Sequence, residues 1–163
     1  MIFFWAQAVG FQALWFSAVL GQNQWLWLGI CLLLASLAWS PKRHDDLRLW
    51  PLALLGFAGD LALSYAGVFA FEQTPFWLAT IWLGFVFTLN HSMQWLNKVS
   101  LLAQAGVGAL AGSLSYMAGY RLGAVDLPYG QWLSAIMLAV YWAALLPTLL
   151  LFSHRLHVVR SSS

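Results

Sequence analysis

Charge is the scarcest property of this chain: Lys, Arg, Asp and Glu together supply 7% of its 163 residues. With 62% of the residues apolar, a folded core could not be clothed in a water-compatible surface. The soluble globular classes are therefore excluded, and a bilayer is the expected solvent. Cysteine is nearly absent as well. Cys31 stands alone, which excludes an intrachain disulfide framework; between Ile30 and Leu32 it reads as a small residue facing core or lipid. The net charge is only +2, and no basic stripe interleaved with aromatics exists, so a nucleic-acid partner is excluded. Metal-ligand clusters are missing too. His44, His154 and His157 fall at the surface and only His91 lies deep, so no metal and no other cofactor is expected. The first apolar run has no charged stretch before it and no small-residue cleavage motif after it, and it reads as a retained anchor.

What the chain does have is long apolar runs. Six can be cut out, at about 2–20, 25–39, 49–71, 76–96, 99–122 and 131–152, each bounded by polar or turn-forming residues. Their connections are short, which forces neighbouring helices antiparallel and leaves no room for an extramembrane domain. The expected fold is all-α: one domain over 1–163, an integral membrane bundle of six transmembrane helices. Lys42, Arg43, Arg48, Lys98, Arg155 and Arg160 fall on one side of such a bundle and only Arg121 on the other, so both termini are expected in the cytoplasm. Trp25, Trp27, Trp77 and Trp132 mark the outer boundary, and Trp39, Trp50 and Trp95 the inner one. Trp15, Trp82 and Trp142 fall deeper, as core or as the wall of a pocket.

Small residues indicate where helices approach closely. Gly108, Gly112, Ser115, Gly119 and Gly123 line the fifth segment, and Gly56, Gly59, Ala62 and Ala66 the third. The GxxxG spacing of Gly108 and Gly112 predicts a contact within the chain or, as the alternative, a homodimer face. An internal echo pairs Leu63-Ser64-Tyr65-Ala66-Gly67 with Leu114-Ser115-Tyr116-Met117-Ala118-Gly119, as if segments three and four were repeated in five and six.

Asp60 is the residue at which function is expected. It lies in the middle of an otherwise apolar run, where a charge costs from ~2.5 to well over 10 kcal/mol. The densest polar group is Thr88-Leu89-Asn90-His91-Ser92-Met93-Gln94. At ~1.5 Å per residue, His91 is about 8 Å deep and Asp60 about 16 Å, a gap that tilt and side-chain reach could close. Asp60 and His91 are accordingly the expected proton-handling pair, with Asn90, Ser92, Tyr65 and Tyr116 as supporting or substrate-binding donors. Three readings compete: an intramembrane enzyme acting on a lipid, a carrier or transporter of an amphipathic molecule, and a packing role in which the polar groups only join helices. The partner common to the first two is a membrane lipid.

In its whole-chain pattern the sequence resembles an uncharacterised family of small bacterial inner-membrane proteins, a domain of unknown function. The resemblance rests on Gly59-Asp60, Gly67-Val68-Phe69, Pro75-Phe76-Trp77-Leu78, Thr88-Leu89-Asn90-His91-Ser92, Leu114-Ser115-Tyr116, Gly119 and Leu122-Gly123-Ala124-Val125. Gly112-Ser113 departs from it, standing where the family pattern has Gly-Pro. The resemblance implies a bacterial inner-membrane location and tilts the expectation toward a lipid-related role, with no activity to carry over. Asp60, Phe69 and His91 alone also look like the arrangement in the multi-pass lysoplasmalogenase family. That family has two further helices, and its activity is not transferred.

Overall fold

In the computed structural model, residues 2–161 are described, with side chains for 3–156; His157 and Arg160, expected in the cytoplasmic tail, lie outside the described side chains. Apolar sequence in a low-dielectric solvent satisfies its backbone polar groups most simply within helices, and the described residues are helical almost throughout. The helices are α1 (Ile2–Gly21), α2 (Leu26–Trp39), α3 (Arg43–Leu47), α4 (Trp50–Tyr65), α5 (Phe76–Leu89), α6 (Leu101–Val107), α7 (Ser113–Arg121) and α8 (Gln131–Ser161). Short 3-10 turns occupy Gln22–Trp25 and Gln94–Lys98, and a π-helical turn, Gly108–Gly112, joins α6 to α7 in one rod.

Among the described residues, four stretches are long and apolar enough to cross a membrane: Phe3–Trp39, Arg43–Tyr65, Leu101–Arg121 and Gln131–Leu156. The apolar helix Phe76–Leu89 is shorter. Phe3–Trp39 is itself folded back at the 3-10 turn, so that Leu14 of α1 faces Gly29 of α2. Large apolar side chains such as Leu102, Val140 and Trp132 are mostly exposed, the surface expected of a protein solvated by lipid.

The ends of the bundle are fixed by polar contacts. At one end, Asn23 Nδ2 donates to the Thr74 carbonyl (3.0 Å), Gln22 Nε2 to that of Gly123 (3.3 Å), and Ala70 pairs with Asp126. At the other, Ser92 Oγ donates to Gln7 Oε1 (2.5 Å), and Lys42, Asn97, Ser153 and His154 surround one surface pocket. The start of α1 and the end of α8 therefore lie at the same end.

Three segment boundaries differ from expectation. The third helix stops at Tyr65 rather than Phe71 because Gly67, at φ +78°, closes it in a Schellman motif, with Val68 N bonded to Leu63 O and Gly67 N to Ser64 O, both 3.0 Å. The chain then turns inward, burying Val68 and Phe69 completely. The fourth helix stops at Leu89 rather than Leu96: His91 N and Met93 N both return to the Thr88 carbonyl, and the polar run leaves the helix axis for partners elsewhere. The sixth runs on past Phe152 to Ser161 and accommodates Pro147 within it.

The internal echo is present in the structure, but in a different register. Gly123, at φ +75°, closes α7 by the same motif, with Ala124 N to Gly119 O (2.9 Å) and Gly123 N to Tyr120 O (3.0 Å). Three residues beyond each glycine, Ala70 and Asp126 exchange both backbone hydrogen bonds (2.9 and 2.8 Å), which places a local two-fold axis between them. Gly67 and Gly123, Ala70 and Asp126, Gly56 and Gly112, and Asp60 and Tyr116 share one constant sequence offset. Each half is a hairpin: α4 with α5, and the α6–α7 rod with α8.

The glycines serve these hairpins. A Cβ on Gly56 would fall 2.1 Å from the Trp82 ring, and one on Gly112 would fall 2.1 Å from that of Trp142. Trp82 and Trp142, each seated against its own glycine, stack at a centroid distance of 5.5 Å with planes 3° apart. Gly108 rests on the Trp142 carbonyl, so the GxxxG face is occupied by α8 of the same chain.

Candidate functional site

Two separate buried polar centres stand out among the described residues. The first is Asp60, fully buried on α4. Tyr116 on α7 donates its hydroxyl to Oδ1 (2.5 Å), and the Trp82 indole on α5 donates to Oδ2 (2.8 Å). Gly59 leaves room for the Tyr141 hydroxyl, which would lie 2.0 Å from a Cβ placed there. Asp60 thus joins the two hairpins through its bond to Tyr116, and Tyr116 is its counterpart by sequence offset. The asymmetry of the repeat, acid on one side and phenol on the other, makes the hydrogen bond.

Asp60 also lies in the wall of a cavity of about 380 Å³, within the range of ligand pockets, ~300 to 1,000 Å³. Its wall is mainly aromatic and aliphatic: Phe11 and Trp15 from α1, Ile81 and Phe85 from α5, Val107 and the π-helical turn, and Trp142 from α8. The π-helical turn brings Gly108, Ala111 and Gly112 to the cavity, and such bulges frequently accompany functional sites. Trp15 Nε1 donates to Ser115 Oγ (3.0 Å), tying α1 to α7 across the cavity.

The second centre is built around Asp46, which is buried on α3 just ahead of the turn into α4. Ser40 Oγ (2.5 Å) and His91 Nε2 (3.0 Å) meet its Oδ2, while Asn90 Nδ2 (2.8 Å) and again His91 Nε2 (3.1 Å) meet Oδ1. Lys42 Nζ reaches the Asn90 carbonyl (3.4 Å), and Phe3 packs edge-on against the imidazole. Burial raises the Asp46 carboxyl, but the hydrogen bonds of His91, Ser40 and Asn90 and the charge of His91 outweigh it and hold it below the ordinary carboxylate range.

Ser, His and Asp occur here together, yet the geometry is not that of a nucleophilic triad. A triad uses the two ring nitrogens of His for two different neighbours. Here the same Nε2 faces both Asp46 and Ser40, at 3.2 Å from the latter, and the Ser40 hydroxyl is spent on the carboxylate. The group is a carboxylate held by three donors, and it fastens the α2–α4 connection to the end of α5.

The expected site residues are therefore divided. Asp60 and Tyr116 meet; His91 and Asn90 belong to Asp46, and among the described residues no hydrogen bond joins Asp60 to His91. The expected proton-handling pair is not assembled, because the chain turns at Leu89 and carries the imidazole off the helix axis. Ser92 bonds Gln7, and Tyr65 is 92% exposed on the outer surface, away from both centres. Sequence reasoning placed Trp15, Trp82 and Trp142 as core or pocket wall, and all three line the cavity. It missed Asp46, which ends a run of charged and polar residues from Lys42 that reads as a solvated turn, and Ser40 just ahead of that run; an acid next to a second acid carries no signal of which one is buried.

Fold and site together define an all-helical membrane protein with a buried acid at the wall of an apolar cavity. The chain belongs to the family described as "Protein of unknown function (DUF2878)", whose family model matches residues 4–148. No curated protein and no solved structure matches it.

Proposed function

We propose that this is a bacterial inner-membrane protein that crosses the bilayer six times, with both termini in the cytoplasm, and handles a membrane lipid or similar amphipathic molecule in the cavity beside Asp60. The observation that carries the proposal is the cavity itself: about 380 Å³, walled by apolar side chains, with one carboxyl group at its wall. A lipid chain is compatible with such a wall, and the acid and Tyr116 offer a polar end something to recognise. The reading of the topology is supported by the basic residues Lys42, Arg43, Arg48, Lys98 and Arg155, which fall on one side of a six-span arrangement of the sequence.

Handling is favoured over chemistry. Asp60 lacks the imidazole that a proton-transfer step at this site would have used, because His91 is engaged by Asp46. The test is native mass spectrometry of the detergent-purified protein, comparing wild type with Ala118→Phe and Ala111→Trp, two substitutions in the cavity wall. The wild type is expected to retain an amphipathic molecule that both variants lose. Equal retention by all three, or only exchangeable bulk phospholipid on the wild type, would leave Asp60 a helix-packing residue. Lipidomics of a deletion strain complemented with Asp60→Asn separates the two lipid readings: altered leaflet distribution with a normal lipid complement supports handling, and an altered species supports chemistry.

A further inference from the structure

We infer that the cavity opens sideways, through a mouth between α1 and the α6–α7 rod at the middle of the membrane, and that Gln12 at this mouth selects the lipid that enters. This rests on the cavity reading above and deepens it. Exposure along the wall shows which side is open. The wall residues of α4, α5 and α8, among them Asp60, Trp82, Phe85 and Trp142, are buried or half-buried, whereas those left exposed are Gln12 on α1 and Ala111 and Leu114 on the rod. Helical spacing accounts for this: Trp15 lies one turn beyond Gln12, and Leu114, Ser115 and Ala118 lie one and two turns beyond Ala111, so each set shares a face. α1 packs on α2 and α5 and the rod on α8, and the small side chains of Ala111, Ser115 and Ala118 leave width between them. The Trp15 indole reaches over that gap to Ser115 (3.0 Å).

The mouth is remote from water. The 20 residues of α1 span about 30 Å, the thickness of a bilayer core, which places Gln12 about 15 Å from either end. Ala111 is likewise the central residue of Leu101–Arg121. An opening at this depth meets lipid chains rather than headgroups or solvent. Gln12 is the polar group at its threshold, and among the described residues it has no hydrogen-bond partner, whereas Gln7 on the same helix is engaged by Ser92. A primary amide left bare in hydrocarbon is disfavoured, and it can both donate and accept. No Lys, Arg or His lines the cavity to favour a charged group. Gln12 therefore prefers a lipid that bears a neutral hydrogen-bonding group part-way along its chain over one whose chain is plain hydrocarbon.

Proteoliposomes doped with a diacyl phospholipid carrying a diazirine in mid-chain test both parts, since such a lipid reaches the cavity only from the bilayer. After photolysis, peptide mass spectrometry is expected to find adducts on interior wall residues such as Ile81 and Phe85, as well as on the outward Leu102 and Val140. Leu114→Trp, a change at an exposed position, should cut the interior adducts several-fold and leave the outward ones unchanged. A phospholipid with a mid-chain keto group should suppress the interior adducts several-fold better than its unsubstituted counterpart on wild type, and no better on Gln12→Leu. Outward adducts alone, with an amphiphile still retained in native mass spectrometry and lost from Ala118→Phe, overturn the sideways mouth and leave the cavity reading in place. Equal suppression by the two lipids on wild type overturns the role of Gln12, as do disulfide-linked dimers of Gln12→Cys in a Cys31→Ser background, which would assign the amide to a contact between two copies. If interior adducts and a retained amphiphile are both absent, both readings fall.

Discussion

His91 Nε2 lies 3.0 Å from Asp46 Oδ2, with both side chains at most 5% exposed, in a chain whose sequence offers Asp60 as the conspicuous acid. The imidazole is thereby a structural partner, and its loss should be felt in stability. Breaking a buried pair by removing one member costs about 3 to 5 kcal/mol. Asp46→Ala and His91→Ala are each expected to lower the thermal midpoint clearly in detergent, as followed by fluorescence-detected size exclusion. Ser40→Ala, which removes one donor of three, should cost about 1 to 2 kcal/mol. Midpoints unchanged in all three would refute the fastening role.

The same centre predicts an acid-side pH dependence. Asp46 is held below its ordinary value in the folded protein, so its contribution is present above the unfolded value, about 3.9, and is lost as pH falls through the lowered folded value. The thermal midpoint of wild type should fall between about pH 4 and lower pH, and Asp46→Asn should flatten that part of the profile. A profile of the same slope in both proteins would assign the acid sensitivity elsewhere.

The glycines under the stacked indoles should tolerate no side chain. Because a Cβ would lie 2.1 Å from Trp82 at Gly56 and 2.1 Å from Trp142 at Gly112, either Ala variant must displace a ring from the stack. Overpacking of this kind costs about 1 to 3 kcal/mol. Gly10→Ala is the control: its Cβ would meet nothing within 4 Å, and an alanine in a helix is expected to be neutral or slightly stabilising. Thermal melts of the three variants decide, and equal behaviour would contradict the packing described.

The proposed topology can be checked with the chain's single thiol removed. In a Cys31→Ser background, Glu72→Cys should react with a membrane-impermeant maleimide in intact cells, and Lys98→Cys should react only after permeabilisation. Labelling of both, or of Lys98→Cys alone, from outside would reverse or break the six-span arrangement.

Much of the fold was legible because the signals concerned are local. Helical rods follow from apolar runs of sufficient length, and Gly67 and Gly123 mark helix ends once their positive φ is known. The internal echo was visible, but its register was not. Low-complexity sequence aligned Tyr65 with Tyr116, while the backbone aligns Asp60 with Tyr116 through the bridge of Ala70 to Asp126. At the site, Asp60, Tyr116 and the deep Trp residues could be picked out, whereas the partner of His91 could not, because it depends on where the chain leaves the α5 axis.

The sequence by itself determined that this chain is helical and lives in lipid, since composition and the length of apolar runs act residue by residue and need no knowledge of neighbours. Only the tertiary structure decided which acid meets which donor. A hydrogen bond depends on rotation, tilt and the exact end of each helix; a few residues of difference at Leu89 sent His91 to Asp46 and left Asp60 to Tyr116, Trp82 and the cavity.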